Sequence, residues 1–116
     1  MRMRVIRQAD LPWSAIAHEL VGDDHDLDIS VILVDAEPGR GPSLHKHPYA
    51  EVFIVLEGEA TVSGGDEELV ARAGDILIVP AGEPHGFVSS GDGPLRQIDI
   101  HLSPRFETEW LEDPPR

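Results

Sequence analysis

Glycine and proline recur along this chain at intervals too short to allow long helices. The 116 residues include 11 glycines and 10 prolines. Pairs such as Pro38-Gly39 and Gly64-Gly65 separate short runs rich in valine, isoleucine and leucine. Short apolar runs bounded by turn-forming residues are typical of β-strands joined by tight turns. The sequence therefore predicts an all-β fold.

The predicted strands follow one another through the middle of the chain. They cover residues 27–36, 51–56, 59–63, 67–73, 75–79, 85–89 and 95–102. Gly64-Gly65 predicts a tight hairpin turn between the third and fourth of these strands. The amino-terminal part is less clear, because residues 4–7 could form a strand and residues 13–21 fit either a strand or a short helix.

One short helix is predicted after the last strand, over residues 104–112. Phe106 and Trp110 are four residues apart there, so a helix would place both on one side. Pro104 stands at the start, where the first turn of a helix tolerates proline. We expect this helix to cap the fold or to contribute to an interface.

Length and composition limit the classes of protein. The length fits one domain over residues 1–116, with its strands in residues 27–102. Cysteine is absent, so any metal must take nitrogen and oxygen ligands. A formal net charge of -13 repels phosphate backbones and anionic lipids, so neither nucleic acid nor membrane is an expected partner. The first residues lack the apolar segment of a signal peptide, which predicts a cytoplasmic protein.

His45 and His47 are the first candidates for a functional site. In an extended segment they share one face, and Glu51 shares it too if the extended pairing continues. Two imidazoles and a carboxylate around one point can hold a divalent first-row metal ion, and His85 could complete the set. A His-x-His pair alone is often a surface feature. The surrounding sequence must therefore decide between the two interpretations.

Two longer patterns surround these residues. The first comprises Gly39, His45, His47, Glu51 and Gly58, and the second comprises Gly74, Pro80, Gly82 and His85. Their spacing resembles the two motifs of the cupin superfamily, in particular the small quercetin-dioxygenase-like cupins. Nine positions agree. The one departure is Ser89, where the family usually has an asparagine that is not a metal ligand, so the departure concerns the surroundings of the site.

The resemblance implies a single jelly-roll type β-barrel with one divalent transition-metal ion in its mouth. The residues that match the family's ligands are His45, His47, Glu51 and His85. Iron, manganese, nickel, cobalt, copper and zinc all accept such ligands, and the sequence does not choose among them. Glu51 could also accept a proton during catalysis.

An apolar wall is predicted beside these ligands. Phe53, Val55 and Phe87 share strand parity with Glu51 and His85, so they should face the interior of the barrel. They would line a substrate pocket or, as interior positions of small barrels often do, fill the core.

The last strand carries a polar face formed by Gln97, Asp99 and His101. We expect this face to meet solvent, as the polar face of an antiparallel sheet usually does. If it points inward instead, His101 becomes a candidate acid/base residue. We expect Tyr49 at an exposed position or at the rim.

The likeness to a fold does not select a reaction. We favour a metal-dependent oxygenase that acts on a small organic molecule, with a non-redox isomerase, lyase or decarboxylase as an alternative. A non-catalytic module that binds a small molecule is a further alternative. Val52, Ile54 and Leu56 form an apolar outward set, which predicts a homodimer.

Overall fold

The computed structural model describes residues 2–113, which form ten β-strands and two short 3-10 helices, with no α-helix in that part of the chain. The strands are β1 (Ala17–Leu20), β2 (Ser30–Ala36), β3 (His45–Lys46), β4 (Glu51–Glu57), β5 (Glu59–Gly64), β6 (Glu67–Arg72), β7 (Ile76–Val79), β8 (Gly86–Ser89), β9 (Leu95–His101) and β10 (Glu109–Trp110). The 3-10 helices are Gln8–Asp10 and Gly22–His25. The all-β prediction is therefore confirmed.

The strands form two main sheets and one short ribbon. The five-stranded sheet has the order β1-β2-β9-β4-β7, and the three-stranded sheet has the order β6-β5-β8. β3 and β10 form the ribbon, and every paired neighbour is antiparallel. No described helix is long and apolar enough to cross a membrane.

The core lies between the two main sheets. Phe53 and Val55 of β4 and Leu95 of β9 pack in one cluster with Val62 of β5 and Phe87 of β8. Packing between two antiparallel sheets removes the inward side chains of both from water, which is the main stabilising term for such a fold.

The sheets do not join into the closed barrel that the resemblance predicts. The chain passes from the five-stranded to the three-stranded sheet at Gly58, which has a φ of 84°. A Cβ at this position would lie 2.5 Å from the carbonyl oxygen of Pro94, so only glycine fits there. The pairing of β4 with β9 also shifts register between Val55 and Glu57. Across residues 2–113 the sharp bend therefore separates the hydrogen-bonded ladders into distinct sheets.

The helix predicted over residues 104–112 is wrong. This segment is extended, and Trp110 in β10 pairs with His45 in β3. Leu111 N–H also donates to Leu44 O at 3.0 Å. The spacing between Phe106 and Trp110 misled the prediction, because residues four apart share a face in an extended chain as well as in a helix.

The hairpin predicted at Gly64-Gly65 exists, but its turn is displaced by one residue. Gly64 still pairs with Glu67, so Gly65 and Asp66 form the two-residue turn. Gly65 has a φ of 54°, as expected for the first central residue of a type II′ turn. In the amino-terminal part, β1 lies within residues 13–21, whereas residues 4–7 do not form a strand.

Candidate metal centre

Four buried side chains meet at one end of the space between the sheets. His45 comes from β3, His47 follows it, Glu51 begins β4, and His85 directly precedes β8. The backbone N–H groups of His45 and His85 donate to each other's carbonyl oxygens at 2.9 and 2.8 Å. This bridge fixes two of the side chains side by side.

The four predicted ligands are brought together as a potential metal-binding group. One ligand atom from each of His45, His47, Glu51 and His85 lies within 4.8 Å of the other three. Bonds of about 2.0–2.2 Å from nitrogen or oxygen to one ion place ligand atoms at most about 4.4 Å apart. A small closure of the group would therefore bring all four atoms to bonding distance.

The orientation of the three imidazoles is fixed by the backbone. Nδ1 of His45 lies 2.6 Å from Ser43 O, Nδ1 of His47 lies 2.8 Å from Glu107 O, and Nδ1 of His85 lies 2.9 Å from Glu83 O. A carbonyl oxygen only accepts, so Nδ1 donates in each case and Nε2 can present a lone pair. Burial also lowers the pKa of His45 to about 4, which keeps this imidazole neutral at pH 7.

Glu51 lies at the centre of the group. Its Oε1 is 2.7 Å from Nε2 of His85 and 3.1 Å from Nε2 of His47, and its Oε2 is 3.1 Å from Nε2 of His101. Burial alone would raise the pKa of Glu51, but its close contacts with the imidazoles of His101, His47 and His85 outweigh burial and hold the pKa far below its usual range. The carboxylate is therefore negatively charged.

The four side chains are arranged as expected for residues that bind a cation. Nε2 of His47 is buried and forms no hydrogen bond within residues 2–113, although it lies close to Glu51. Burial would lower the pKa of His85, but its hydrogen bond with Glu51 raises it, because a positive charge between Nε2 and Oε1 stabilises both atoms. A divalent ion would supply that charge and the missing partner of His47.

The expected exposure of the polar face on β9 is wrong. Gln97, Asp99 and His101 are only 1–3% exposed. Gln97 Nε2 donates to Asp99 Oδ1 at 2.6 Å. Burial raises the pKa of Asp99 well above its ordinary value, and the nearby Glu51 carboxylate adds to the effect. Period-two alternation identifies which residues share a face, but it does not determine which face points to the interior.

Tyr49 contacts the candidate site, although the sequence reasoning did not include it there. Its ring stacks on His47 with centroids 4.9 Å apart and 13° between the planes. Its hydroxyl lies 2.7 Å from Nδ1 of His101. Burial raises the pKa of Tyr49 to about 12, so the hydroxyl keeps its proton and can donate it. Tyr49 is two residues from both His47 and Glu51, and residues two apart share a face in an extended segment, so strand parity was the available signal.

A cavity of about 320 Å³ opens beside the four predicted ligands. Phe53 and Phe87 line it, whereas Val55 is buried in the core behind them. The extended C-terminal segment adds Phe106, Thr108 and Trp110, which alternate along the chain as one strand face should. The remaining wall comes mainly from β1 and β2 and carries the side chains of Ala17, Glu19, Ile32 and Val34.

Comparison with known proteins agrees with this arrangement. The family described as "Cupin domain" matches residues 32–101, more than half of the chain. Polyketide synthase CurC of Streptomyces cyaneus is 40% identical over 68 residues, which cover 58% of this chain and 44% of that protein. Quercetin 2,3-dioxygenase of Bacillus subtilis is 33% identical over 73 residues, which cover 60% of this chain and 22% of that protein.

The chain spans less than half the length of both curated relatives. Among solved structures, an uncharacterized conserved protein with a double-stranded β-helix domain from Klebsiella pneumoniae is similar with a TM-score of 0.72. The likeness covers 97% of this chain and 100% of that chain at 23% identity. At this identity the likeness concerns the fold alone.

Proposed function

The chain belongs to the cupin domain family, and from that premise we propose that it is a metal-dependent oxidoreductase of the dioxygenase type. Its substrate is a small organic molecule that binds in the cavity beside His45, His47, Glu51 and His85. The observation that carries this proposal is the convergence of three backbone-oriented imidazoles and one carboxylate.

The proposed ion is one divalent transition metal: iron, manganese, nickel, cobalt, copper or zinc. When bound, it would polarise substrate oxygens and, if redox-active, exchange electrons with dioxygen. The chain's own residues would bind the substrate and transfer protons. Phe53 and Phe87 hold the substrate with Val55 packed behind them, while Glu51 and His101 are placed to accept or donate a proton.

A second candidate function is a non-redox isomerase, lyase or decarboxylase. The inward position of His101 favours it, because an imidazole on the cavity wall can move protons without any oxidant. The names of the two curated relatives, a polyketide synthase and a dioxygenase, do not choose between these reactions.

Metal analysis and oxygen sensitivity separate the candidates. We expect about one ion per chain in the purified protein and an absorption change when the iron-loaded protein meets air. Tightly held zinc, no oxygen response and turnover with a redox-inert ion would favour the non-redox function. Absence of binding for every ion tested would overturn the metal centre itself.

We also propose a homodimer through the outward side of the five-stranded sheet. Two rows of side chains cross all five strands there: Leu20, Val31, Ile100, Val52 and Ile78, then His18, Leu33, Ile98, Ile54 and Ile76. Nine of these ten side chains are aliphatic, and Ile76 and Ile78 are 66% and 69% exposed. A second copy presents the same uncharged surface, so both copies can bury it without bringing their negative charges together.

A further inference from the structure

The charges around the cavity are unusual because they include no permanent cation. Among the residues that the structure describes, neither lysine nor arginine lines the cavity. Its carboxyl groups are Glu19, Glu51 and Asp99, and its imidazoles are His45, His47, His85 and His101. A site built for anionic ligands usually offers arginine or lysine as a partner for the negative charge. Here the metal ion would be the sole strong cation, and Glu51 already neutralises part of its charge.

Glu19 lies on the part of the cavity wall that β1 and β2 form. It projects from β1, where it pairs with Ile32 of β2, and it lines the same cavity as His101. Burial raises the pKa of Glu19, although the nearby His101 opposes the shift. This part of the cavity therefore already disfavours one negative charge, and an anionic ligand would add a second.

Most of the remaining lining is apolar, and Ser14 and Thr108 are its only other polar residues within residues 2–113. Ile16, Ile32 and Val34 lie on the Glu19 side, and Phe106 and Trp110 lie on the C-terminal segment. Such surfaces stabilise a ligand in proportion to the apolar area that it removes from water, and they provide no compensation for a buried charge.

We propose that the cavity selects uncharged, largely apolar molecules that carry an oxygen donor for the metal, and that Glu19 discriminates against carboxylates. This inference rests on the proposed metal centre and adds the substrate class. A hydroxyl group on the ligand can donate to Glu19, whereas a carboxylate is repelled by it.

A matched pair of ligands tests the proposal on the nickel-loaded protein. 2-Hydroxyacetophenone and its 4-carboxylate, 4-(2-hydroxyacetyl)benzoate, share the same hydroxyketone for the metal, but only the second carries a negative charge, on the far side of the ring. Metal content is measured first, and titration calorimetry at pH 7.5 then gives both affinities. We expect the uncharged ligand to bind at least about tenfold more tightly, the scale of one unfavourable charge contact in a partly buried site.

A substitution that removes the negative charge of Glu19 tests whether this charge causes the difference in affinity. Glu19→Gln should strengthen 4-(2-hydroxyacetyl)benzoate binding by about threefold to tenfold and change 2-hydroxyacetophenone binding less than about twofold. Glu67→Gln, on the exposed strand β6, changes the net charge equally and should leave both affinities unaltered.

Three results would overturn the proposal: equal or tighter binding of 4-(2-hydroxyacetyl)benzoate, no binding of either ligand to metal-loaded protein, or an unchanged affinity ratio in Glu19→Gln. Failure to load metal is a different result. It appears in the metal analysis before any ligand is added, and it removes the metal centre together with the inference that rests on it.

Discussion

At β9, the two faces of the five-stranded sheet reverse the usual distribution of polarity. The inner face of β9 carries Gln97, Asp99 and His101, all nearly inaccessible to water, while Ile98 and Ile100 lie on its outer face. On an ordinary half-exposed sheet the aliphatic residues would point inward and the polar residues outward.

This reversal shows that each face is suited to a different partner. The buried polar groups of the inner face form hydrogen bonds with one another, as in the pairs Gln97–Asp99 and Glu51–His101, and they surround the cavity. The two outward rows of the sheet are aliphatic except for His18. Another apolar surface can therefore cover them without leaving many polar side chains unpaired. One set of strands thus positions a candidate metal centre on one side and a candidate interface on the other.

The largest effect is expected at the inner face, from His47→Ala. Removal of one of four ligands should weaken metal binding by at least about 100-fold, since the remaining three leave the ion with an open position. Competition with a metal chelator would measure the change. His25→Ala, a histidine outside the cavity, should bind metal as the wild type does; undiminished affinity in His47→Ala would contradict the ligand assignment.

The outer face is tested by Ile78→Glu. A carboxylate within a self-complementary apolar surface should dissociate the dimer and raise its Kd by about 100-fold, because two charges would be buried for each dimer formed. Light scattering with size-exclusion chromatography reports the mass. Val70→Glu, on the exposed side of β6, is the matched control. A wild-type protein that is monomeric at micromolar concentration would refute the interface.

Asp99→Asn tests whether the inner face tolerates a buried acid only in its neutral form. Burial raises the pKa of Asp99 in the folded state, so the wild type loses stability as pH rises above the unfolded value of about 3.9. Asparagine keeps the bond with Gln97 and carries no such penalty. We expect the metal-free variant to be more stable at pH 7 by on the order of 1 kcal/mol, with the difference vanishing below about pH 4.

Urea unfolding at pH 7 and below about pH 4 gives the free energies of unfolding of the variant and the wild type. Asp35→Asn, an exposed position of β2, should show no comparable gain. A loss of stability in Asp99→Asn at neutral pH would mean that the charged carboxylate is the form that the fold requires.

The smallest effect is expected from Tyr49→Phe. The variant loses the hydrogen bond to Nδ1 of His101, whose Nε2 faces Glu51. One such bond is equivalent to about 1 kcal/mol, so metal affinity should fall by about threefold to tenfold. A double-mutant cycle with His101→Gln tests whether Tyr49 positions His101 or only packs beside it. If Tyr49 acts through His101, the two effects on metal affinity should be less than additive.

The sequence was sufficient for the elements that rest on local rules. Glycine and proline at fixed positions define where turns occur, and the spacing of His45, His47, Glu51 and His85 is enough to group them as candidate ligands. These statements depend on chain geometry over a few residues or on a pattern shared with relatives.

Tertiary structure decided what local spacing leaves open. Phe106 and Trp110 fit a helix and an extended strand equally well, and pairing of Trp110 with His45 selected the strand. Alternation in β9 grouped Gln97 with Asp99 and His101, but only packing against the second sheet turned that face inward. The position of Tyr49 against His101 likewise joins residues 52 positions apart.

The sequence by itself therefore determined the strands, the turns and the composition of the candidate metal centre, because neighbouring residues constrain one another through short-range geometry. The inward face, the cavity lining and the contacts of Glu51 with His101 depend on which distant strands meet, and only the tertiary structure decides that.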